Sequence, residues 1–285
     1  MMISMHRLVR FLLSLLVLGF LYVASAHSEP GYAGPTYKGE WRQGGIILGQ
    51  TTPGSAVVVD GKAVLVSPEG DFVFGIGRNH TAPVSIKTSH PKSGSVIQAF
   101  EVASREYRIQ RIEGVKQKHV TPHKSVLERI SKEAKKVRRA RTREDKRVDF
   151  TGAFIWPAKG PLTGVYGSQR VYNGVPKSPH YGVDIASPTG TPVIAPAPGI
   201  ISLVEPDLYY SGGTLILDHG HGLSSTFIHL SAVSVELGQR VEQGEKIGEI
   251  GATGRATGPH LDWRMNWFKV RVDPQLLMGD SSPND

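Results

Sequence analysis

The chain has 285 residues and a formal net charge of +8, with 39% hydrophobic and 20% charged residues, 33 Gly, 19 Pro and no Cys. At roughly 150 residues per domain it has room for two ordinary domains, and its Gly- and Pro-rich composition suits a turn-rich β protein. The same numbers exclude a coiled coil, a collagen, a disulfide scaffold, thiol chemistry, an iron–sulfur cluster and a lipid anchor on an N-terminal cysteine.

In chain order, Arg7 and Arg10 precede an apolar or small-residue run at 11–23, and Ala24-Ser25-Ala26 follows with a small–x–small pattern. The run is shorter than the ~20 residues of a membrane span, so residues 1–26 are expected to be a secretory signal peptide. An uncleaved anchor is the alternative. Either way the remainder works outside the cytoplasm, in the periplasm for preference and otherwise secreted. That location removes nucleic acid as the partner for the positive charge, and the mature chain has no expected transmembrane span.

Residues 36–114 are expected to form a small β-sandwich. Short apolar runs at 46–48, 56–59, 63–66, 72–74, 84–86, 96–100 and 107–109 are separated by turn residues, and Asp60-Gly61 marks a two-residue hairpin. No chemistry-bearing cluster is visible there. His80 and His90 lie in polar, turn-like surroundings and are expected to be exposed.

Residues 121–147 read as a basic helical linker. Residues 124–147 hold 11 basic and four acidic residues, a net of +7. Val126, Ile130, Ala134 and Val137 recur at helical spacing, and Thr121-Pro122 offers a cap and a first-turn proline. The helix is either a solvated linker or a contact for anionic envelope polymer or lipid head groups.

Residues 151–278 carry the chemistry. Strands are expected at 192–195, 200–204, 214–217, 225–229, 240–250 and 260–267, in a largely antiparallel sheet whose Gly-rich loops can mount a site. In His180-Tyr-Gly-Val-Asp184, even spacing in extended chain puts an imidazole and a carboxylate on one side, a pair that suits zinc. In residues 260–267, Leu261, Trp263, Met265 and Trp267 alternate with His260, Asp262, Arg264 and Asn266, so the strand has one apolar and one polar face. His229 sits in an apolar strand, where a core role competes with a catalytic one. His219 and His221 read as parts of a hairpin turn. Arg170 and Asn173 are candidates for lining a substrate groove, and Tyr209 and Tyr210 for a substrate-facing loop tip.

Together, His180-Tyr-Gly-Val-Asp184-Ile-Ala-x-Pro-x-Gly-Thr-Pro, Phe-Ile-His229-Leu-Ser, Gly258-Pro-His260-Leu and the Gly244-x-x-Ile-Gly248-x-x-Gly251-x-Thr253-Gly254 run resemble the lysostaphin-type (LytM) zinc endopeptidases of bacterial cell walls. The likeness extends over residues 162 to about 273. It implies a twisted antiparallel sheet with a groove, one Zn²⁺, and a peptide bond of peptidoglycan stem peptides or cross-links as substrate. His180 and Asp184 match the first two zinc ligands. His260 matches the first histidine of the family's His-x-His motif, and His229 the other histidine that does not bind metal, both implicated in proton handling and transition-state stabilisation.

The departure is Asp262, which stands where the family has its second motif histidine. The third ligand is therefore Asp262 or missing. Aspartate is a legitimate zinc ligand, but two of them make the zinc site neutral, which weakens polarisation of bound water and shifts preference toward manganese or iron. The competing expectation is a catalytically inactive relative, an activator or wall-binding protein with another wall hydrolase as partner.

Overall fold

The computed structural model of the chain describes residues 34–113 and 123–284. The signal-peptide expectation for residues 1–26, and Thr121-Pro122 as helix starters, lie outside them. The fold is mainly β, as expected, with one α-helix among the described residues. No described helix is long and apolar enough to cross a membrane.

The N-terminal region is a sandwich of two small antiparallel sheets. One contains Thr36–Lys38, Ile46–Gln50 and Asp71–Gly75; the other contains Lys62–Val64, Ala56–Val59, Val84–His90 and Gly94–Phe100. Val84–His90 alternates buried and exposed side chains, as a sheet with one wet face does. Asp60 and Gly61 both have positive φ (47° and 74°), the requirement of a two-residue hairpin turn between Val59 and Lys62. Ile47, Val57, Phe72, Phe74 and Ile86 fill the space between the sheets.

Ile46 and Val73, on the opposite face of the smaller sheet, join the core of the C-terminal region instead. That sheet is buried on both faces, which explains why its strands are apolar runs rather than alternating ones. The fit is close at Gly75, where an added Cβ would lie 2.6 Å from Val272 and 3.1 Å from Trp267.

Three expectations for this region are corrected. The run at 107–109 is not a sandwich strand: Ile109–Ile112 pairs in parallel with Gln169–Tyr172 of the C-terminal region. Its side chains are mostly exposed, so it has no apolar face to offer a sandwich core, and Thr36–Lys38 completes the sandwich instead. Arg105, just upstream, forms an ion pair of 2.7 Å with buried Asp273. His80 and His90 are half-buried rather than exposed, and the Nε2 of His80 is buried without a hydrogen-bond partner among the described residues.

The helix spans Lys124–Arg141. Its N-cap is His123, whose side chain accepts from the Ser125 amide. Arg138, Arg139 and Arg141 occupy the last turn, where cations oppose the helix dipole favourably. Most of its side chains are exposed, and a narrow apolar stripe docks its C-terminal half on the sheet. Val137 and Ala140 pack on Leu203 and Ile216, Lys136 pairs with Glu205 at 2.7 Å, and Glu133 accepts from the Tyr209 amide.

The C-terminal region is a ten-stranded sheet. Along its main path Gly199–Leu208, Gly212–Asp218, Leu223–Val233, His260–Trp267, Gly182–Ala186 and Leu162–Gly164 lie side by side, all pairings antiparallel. The expected strand at 240–250 is two strands, Arg240–Val241 and Lys246–Ile250, because Gly244 turns the chain between them with φ +85°. Leu261, Trp263 and Met265 are fully buried in the core on one face of this sheet. The opposite face carries the site.

Candidate metal centre

Antiparallel register sets Asp184 directly opposite Asp262. Asp262 is in turn opposite Ile228 on the other neighbouring strand, one residue from His229. His180 precedes the Gly182–Ala186 strand and reaches back over it. His180, Asp184 and Asp262 each offer a ligand atom within 4.8 Å of the others. The Nε2 of His180 lies 3.0 Å from Asp184 Oδ1 and 3.2 Å from Asp262 Oδ2.

His229 is brought to this face by a local irregularity. Phe227 and Leu230 both enter the core, although an odd separation in a regular strand would put them on opposite faces. Pairing with the neighbouring strand shifts register across this stretch, and His229 itself has φ +68°. This bulge re-aims the side chain and leaves its ring 4.8 Å from that of His260. His260 Nε2 is 3.8 Å from Asp184 Oδ1.

All three histidines are oriented in the same way. Nδ1 meets a backbone carbonyl in each: Val165 for His180 (3.3 Å), Thr253 for His229 (2.8 Å) and Gly258 for His260 (2.8 Å). A carbonyl only accepts, so Nδ1 carries the hydrogen in each ring and Nε2 is turned to the site. Burial lowers the His229 pKa, which keeps that ring neutral at pH 7. Burial also acts to lower His180, but Asp184 and Asp262 override it and raise the ring to about 10.

Arg264 is the residue the sequence did not single out. It donates from Nε to Asp262 Oδ1 at 2.9 Å and from Nη2 to Oδ2, a bidentate clamp on a carboxylate that is only 2% exposed. Burial alone would raise the Asp262 pKa; the guanidinium, followed by His180, holds it well below the usual carboxylate range. Two glycines make room for these acids. A Cβ at Gly182 would lie 2.5 Å from Arg264 Cγ and 2.8 Å from Asp262 Oδ1, and one at Gly164 only 2.1 Å from Asp184 Oδ2. The signal for Arg264 was its place on the polar face two residues after Asp262. Gly182 lies inside the His180–Asp184 motif, whereas nothing in the sequence marked Gly164.

The donor set suits a divalent ion. Asp184 Oδ1 is buried and faces His180 Nε2 at 3.0 Å and His260 Nε2 at 3.8 Å, so it is turned toward the space an ion would take. A carboxylate has about four lone-pair positions, so Asp262 can accept the Arg264 fork and still offer Oδ2 toward His180.

The remaining expected residues are distributed around this centre. Tyr209 and Tyr210 follow the Gly199–Leu208 strand, ring to ring at 4.9 Å. The Tyr210 carbonyl accepts from the Arg255 amide, and the next carbonyl, of Ser211, accepts from the His229 amide, so this loop borders His229. Arg170 and Asn173 are exposed on the hairpin of Gln169–Tyr172 and Val175–Pro176, which pairs with Ile109–Ile112 rather than with the His260–Trp267 strand. His219 is fully buried between the Pro198 carbonyl and the Ser225 hydroxyl, the structural role expected of that turn.

Residues 178–274 match the model of peptidase family M23. A crystal structure from Pseudomonas aeruginosa assigned to peptidase M23 is 31% identical, with a TM-score of 0.65 over 85% of this chain and 96% of that one. The chain belongs to peptidase family M23. Among its M23 relatives, the peptidoglycan DD-endopeptidase ShyA of Vibrio cholerae is 39% identical over 88 residues, 31% of this chain and 20% of ShyA. The DD-carboxypeptidase/endopeptidase Mpg of Neisseria meningitidis is 44% identical over 95 residues, 33% of this chain and 22% of Mpg. The M23 chain thus matches only about a fifth of the length of these curated relatives.

Proposed function

We propose that this protein is an exported metalloendopeptidase that hydrolyses peptide bonds in peptidoglycan stem peptides or cross-links. His180, Asp184 and Asp262 hold one zinc ion in this proposal, and His229 and His260 handle protons. The observation that carries it is the meeting of three donor atoms within 4.8 Å beside two further histidines that turn Nε2 to the same face. The names of the M23 relatives supply the substrate class.

Bound zinc supplies Lewis acidity, which makes water a usable nucleophile near neutral pH and polarises a carbonyl. The chain's own residues do the rest. His229, neutral because it is buried, has an open Nε2 lone pair to take the proton of the attacking water and later pass it to the leaving amine. His260, beside the Asp184 carboxylate, stabilises charge that develops on the carbonyl oxygen once its Nε2 has taken a proton and can donate. Arg264 orients Asp262 and adds a positive charge behind it. Zinc with two aspartates is neutral, and the guanidinium restores the +1 that one aspartate and two histidines would give.

The test is the metal content of the purified protein together with release of soluble peptides from isolated peptidoglycan. About one zinc per chain and peptide release, both lost in Asp184→Ala, are expected. A zinc-free protein that releases nothing but stimulates another wall hydrolase would replace this proposal with the activator alternative.

A further inference from the structure

A second charged site lies further along the same sheet face. A cavity of about 420 Å³ opens between the C-terminal turns of the helix and the end of the His260–Trp267 strand. Its lining includes Arg138, Arg141, Asn266, Phe268, Lys269 and Arg271, and no acidic residue. Among the described residues, none of these four cations has a carboxylate within ion-pairing distance, although other lysines and arginines do, such as Arg105, Lys136 and Arg264. Arg141 is only 9% exposed. It donates from Nη2 to Thr226 Oγ1 at 3.1 Å, and its Nε is buried with no hydrogen-bond partner among the described residues. Arg271 has an amide oxygen, Asn266 Oδ1 at 3.2 Å, and the face of Tyr181. Burial, then repulsion from Arg271 and Arg264, pushes the Arg141 pKa down; burial and Arg264 lower that of Arg271 to about 10.

A buried guanidinium such as Arg141, with half-buried Arg271 as a like-charged neighbour, is costly unless something anionic completes the site. Paired guanidiniums favour a planar oxyanion that can take two parallel hydrogen bonds. The location narrows the choice. Asn266 lies on the same face of the strand as Asp262, four residues on, and is opposite Arg271 in register. Four strand residues span about 13 Å, the length of four residues of an extended peptide. The volume is also within the range of ligand pockets.

We infer that this cavity is a subsite for a carboxylate-bearing peptide, holding an acidic group of the same chain whose scissile bond meets the metal triad. This inference rests on the proposed peptidase function, and it gives that function a preference for acidic peptides. The four cations of the lining supply the charge that such an acidic group would complete. Binding energy gained at this distance can be used to hold the reacting bond in place.

The test uses the full-length protein, with zinc and after chelation, and a fluorescent pentapeptide with two glutamates followed by anisotropy. The expected results are saturable binding in both states and binding at least tenfold weaker when both glutamates are glutamine. Arg271→Gln, and separately the double variant Arg138→Gln/Lys269→Gln, should each weaken the glutamate peptide at least fivefold. Arg138 and Lys269 are exposed, so the double variant keeps the test valid if Arg271→Gln unfolds. Equal affinity for the two peptides, or affinity unchanged by the double variant, would overturn the inference. So would binding of inorganic phosphate with the same arginine dependence but no binding of the glutamate peptide, which would make this a site for a free oxyanion. A zinc-free, inactive protein that still prefers the glutamate peptide removes the peptidase proposal alone. An active zinc protein indifferent to glutamate removes the subsite alone.

Discussion

Two strands of this molecule show the same alternation and put it to opposite use. Val84–His90, in the sandwich, buries Val84, Ile86 and Thr88 and leaves Ser85 and Lys87 in water. His260–Trp267, in the C-terminal sheet, buries Leu261, Trp263 and Met265, but Asp262 and Asn266 on its polar face are buried too, at 2% and 1% exposure. A polar face that meets water needs no partners. One that is covered must find a counter-charge for every ion and a partner for every hydrogen-bonding group. The difference between the two strands is therefore electrostatic rather than conformational, and it separates scaffold from site.

The largest expected effect breaks the charge arrangement of the second strand. Asp262→Ala leaves Arg264 and protonated His180 without their shared buried carboxylate. Removing one partner of a buried pair typically costs about 3–5 kcal/mol, so urea unfolding of the metal-free variant should show a loss of that order, and zinc should fall to background. Lys87→Ala, at the wet polar face of the other strand, should stay within about 0.5 kcal/mol of wild type. Asp262→His alone also strands the Arg264 charge, so the metal-free His variant should recover stability when Arg264→Gly is added. Equal stability of the single and double variants would show that Arg264 does not depend on Asp262.

How far the sequence carries the site follows from the same contrast. Alternation placed His260 and Asp262 on one face, and even spacing placed His180 with Asp184, because side-chain direction along a strand is set by backbone geometry. The hairpin at Asp60-Gly61 was legible for a similar reason, since the turn requires positive φ at both residues. Arg264 was visible only as another polar residue, because pairing depends on how far a flexible side chain folds back. His229 was ambiguous because its place on the polar face depends on a bulge, which no local pattern announces. The docking of the helix, and the parallel pairing of Ile109–Ile112 with Gln169–Tyr172, are long-range events. Ile109–Ile112 is mostly exposed and carries no periodic signal, and the apolar spacing of the helix marks a helix without naming the strands it packs on.

A second effect separates buried structural histidine from the histidines of the site. Complete burial lowers the His219 pKa to about 4, against 6.5 for an unperturbed ring. The unfolded chain then binds a proton between these values that the folded chain refuses, so this contribution to stability is complete above about pH 6.5 and is lost as pH falls toward 4. The shift corresponds to about 3 kcal/mol. Denaturant melts of metal-free protein between pH 7 and 4 should show a steeper decline for wild type than for His219→Gln. Burial also lowers His221 and His229, so part of the slope should persist in the variant. Parallel pH profiles for wild type and variant would rule out His219 as a source of the acid sensitivity.

A third effect enters through space rather than charge. Gly164 does not have positive φ, so alanine fits its backbone, but the new Cβ would sit 2.1 Å from Asp184 Oδ2. Asp184 or the Leu162–Gly164 strand has to move. Overpacking of this kind costs about 1–3 kcal/mol. If Asp184 is a zinc ligand, zinc affinity should fall by about 10–100-fold, the range seen when the support of a ligand is disturbed. Titration with a competing chelator measures this directly. Unchanged affinity would mean that the strand moves and the carboxylate stays.

The smallest effect is the matching glycine of the sandwich. Gly61 has φ +74° and open space where a Cβ would go, so alanine there meets no atom and is opposed only by its own backbone preference. Left-handed backbone costs an L-residue about 1 kcal/mol, and Gly61→Ala should lower stability by about that amount. The hairpin is remote from the metal centre in the sheet pairing, so zinc affinity should remain that of wild type. The two substitutions add the same single carbon. At Gly164 it should change metal binding and at Gly61 only the unfolding midpoint, because the first glycine is required by a neighbouring carboxylate and the second by a turn. A fall in zinc affinity in Gly61→Ala would show that the sandwich and the metal centre are coupled more tightly than their packing around Gly75 requires.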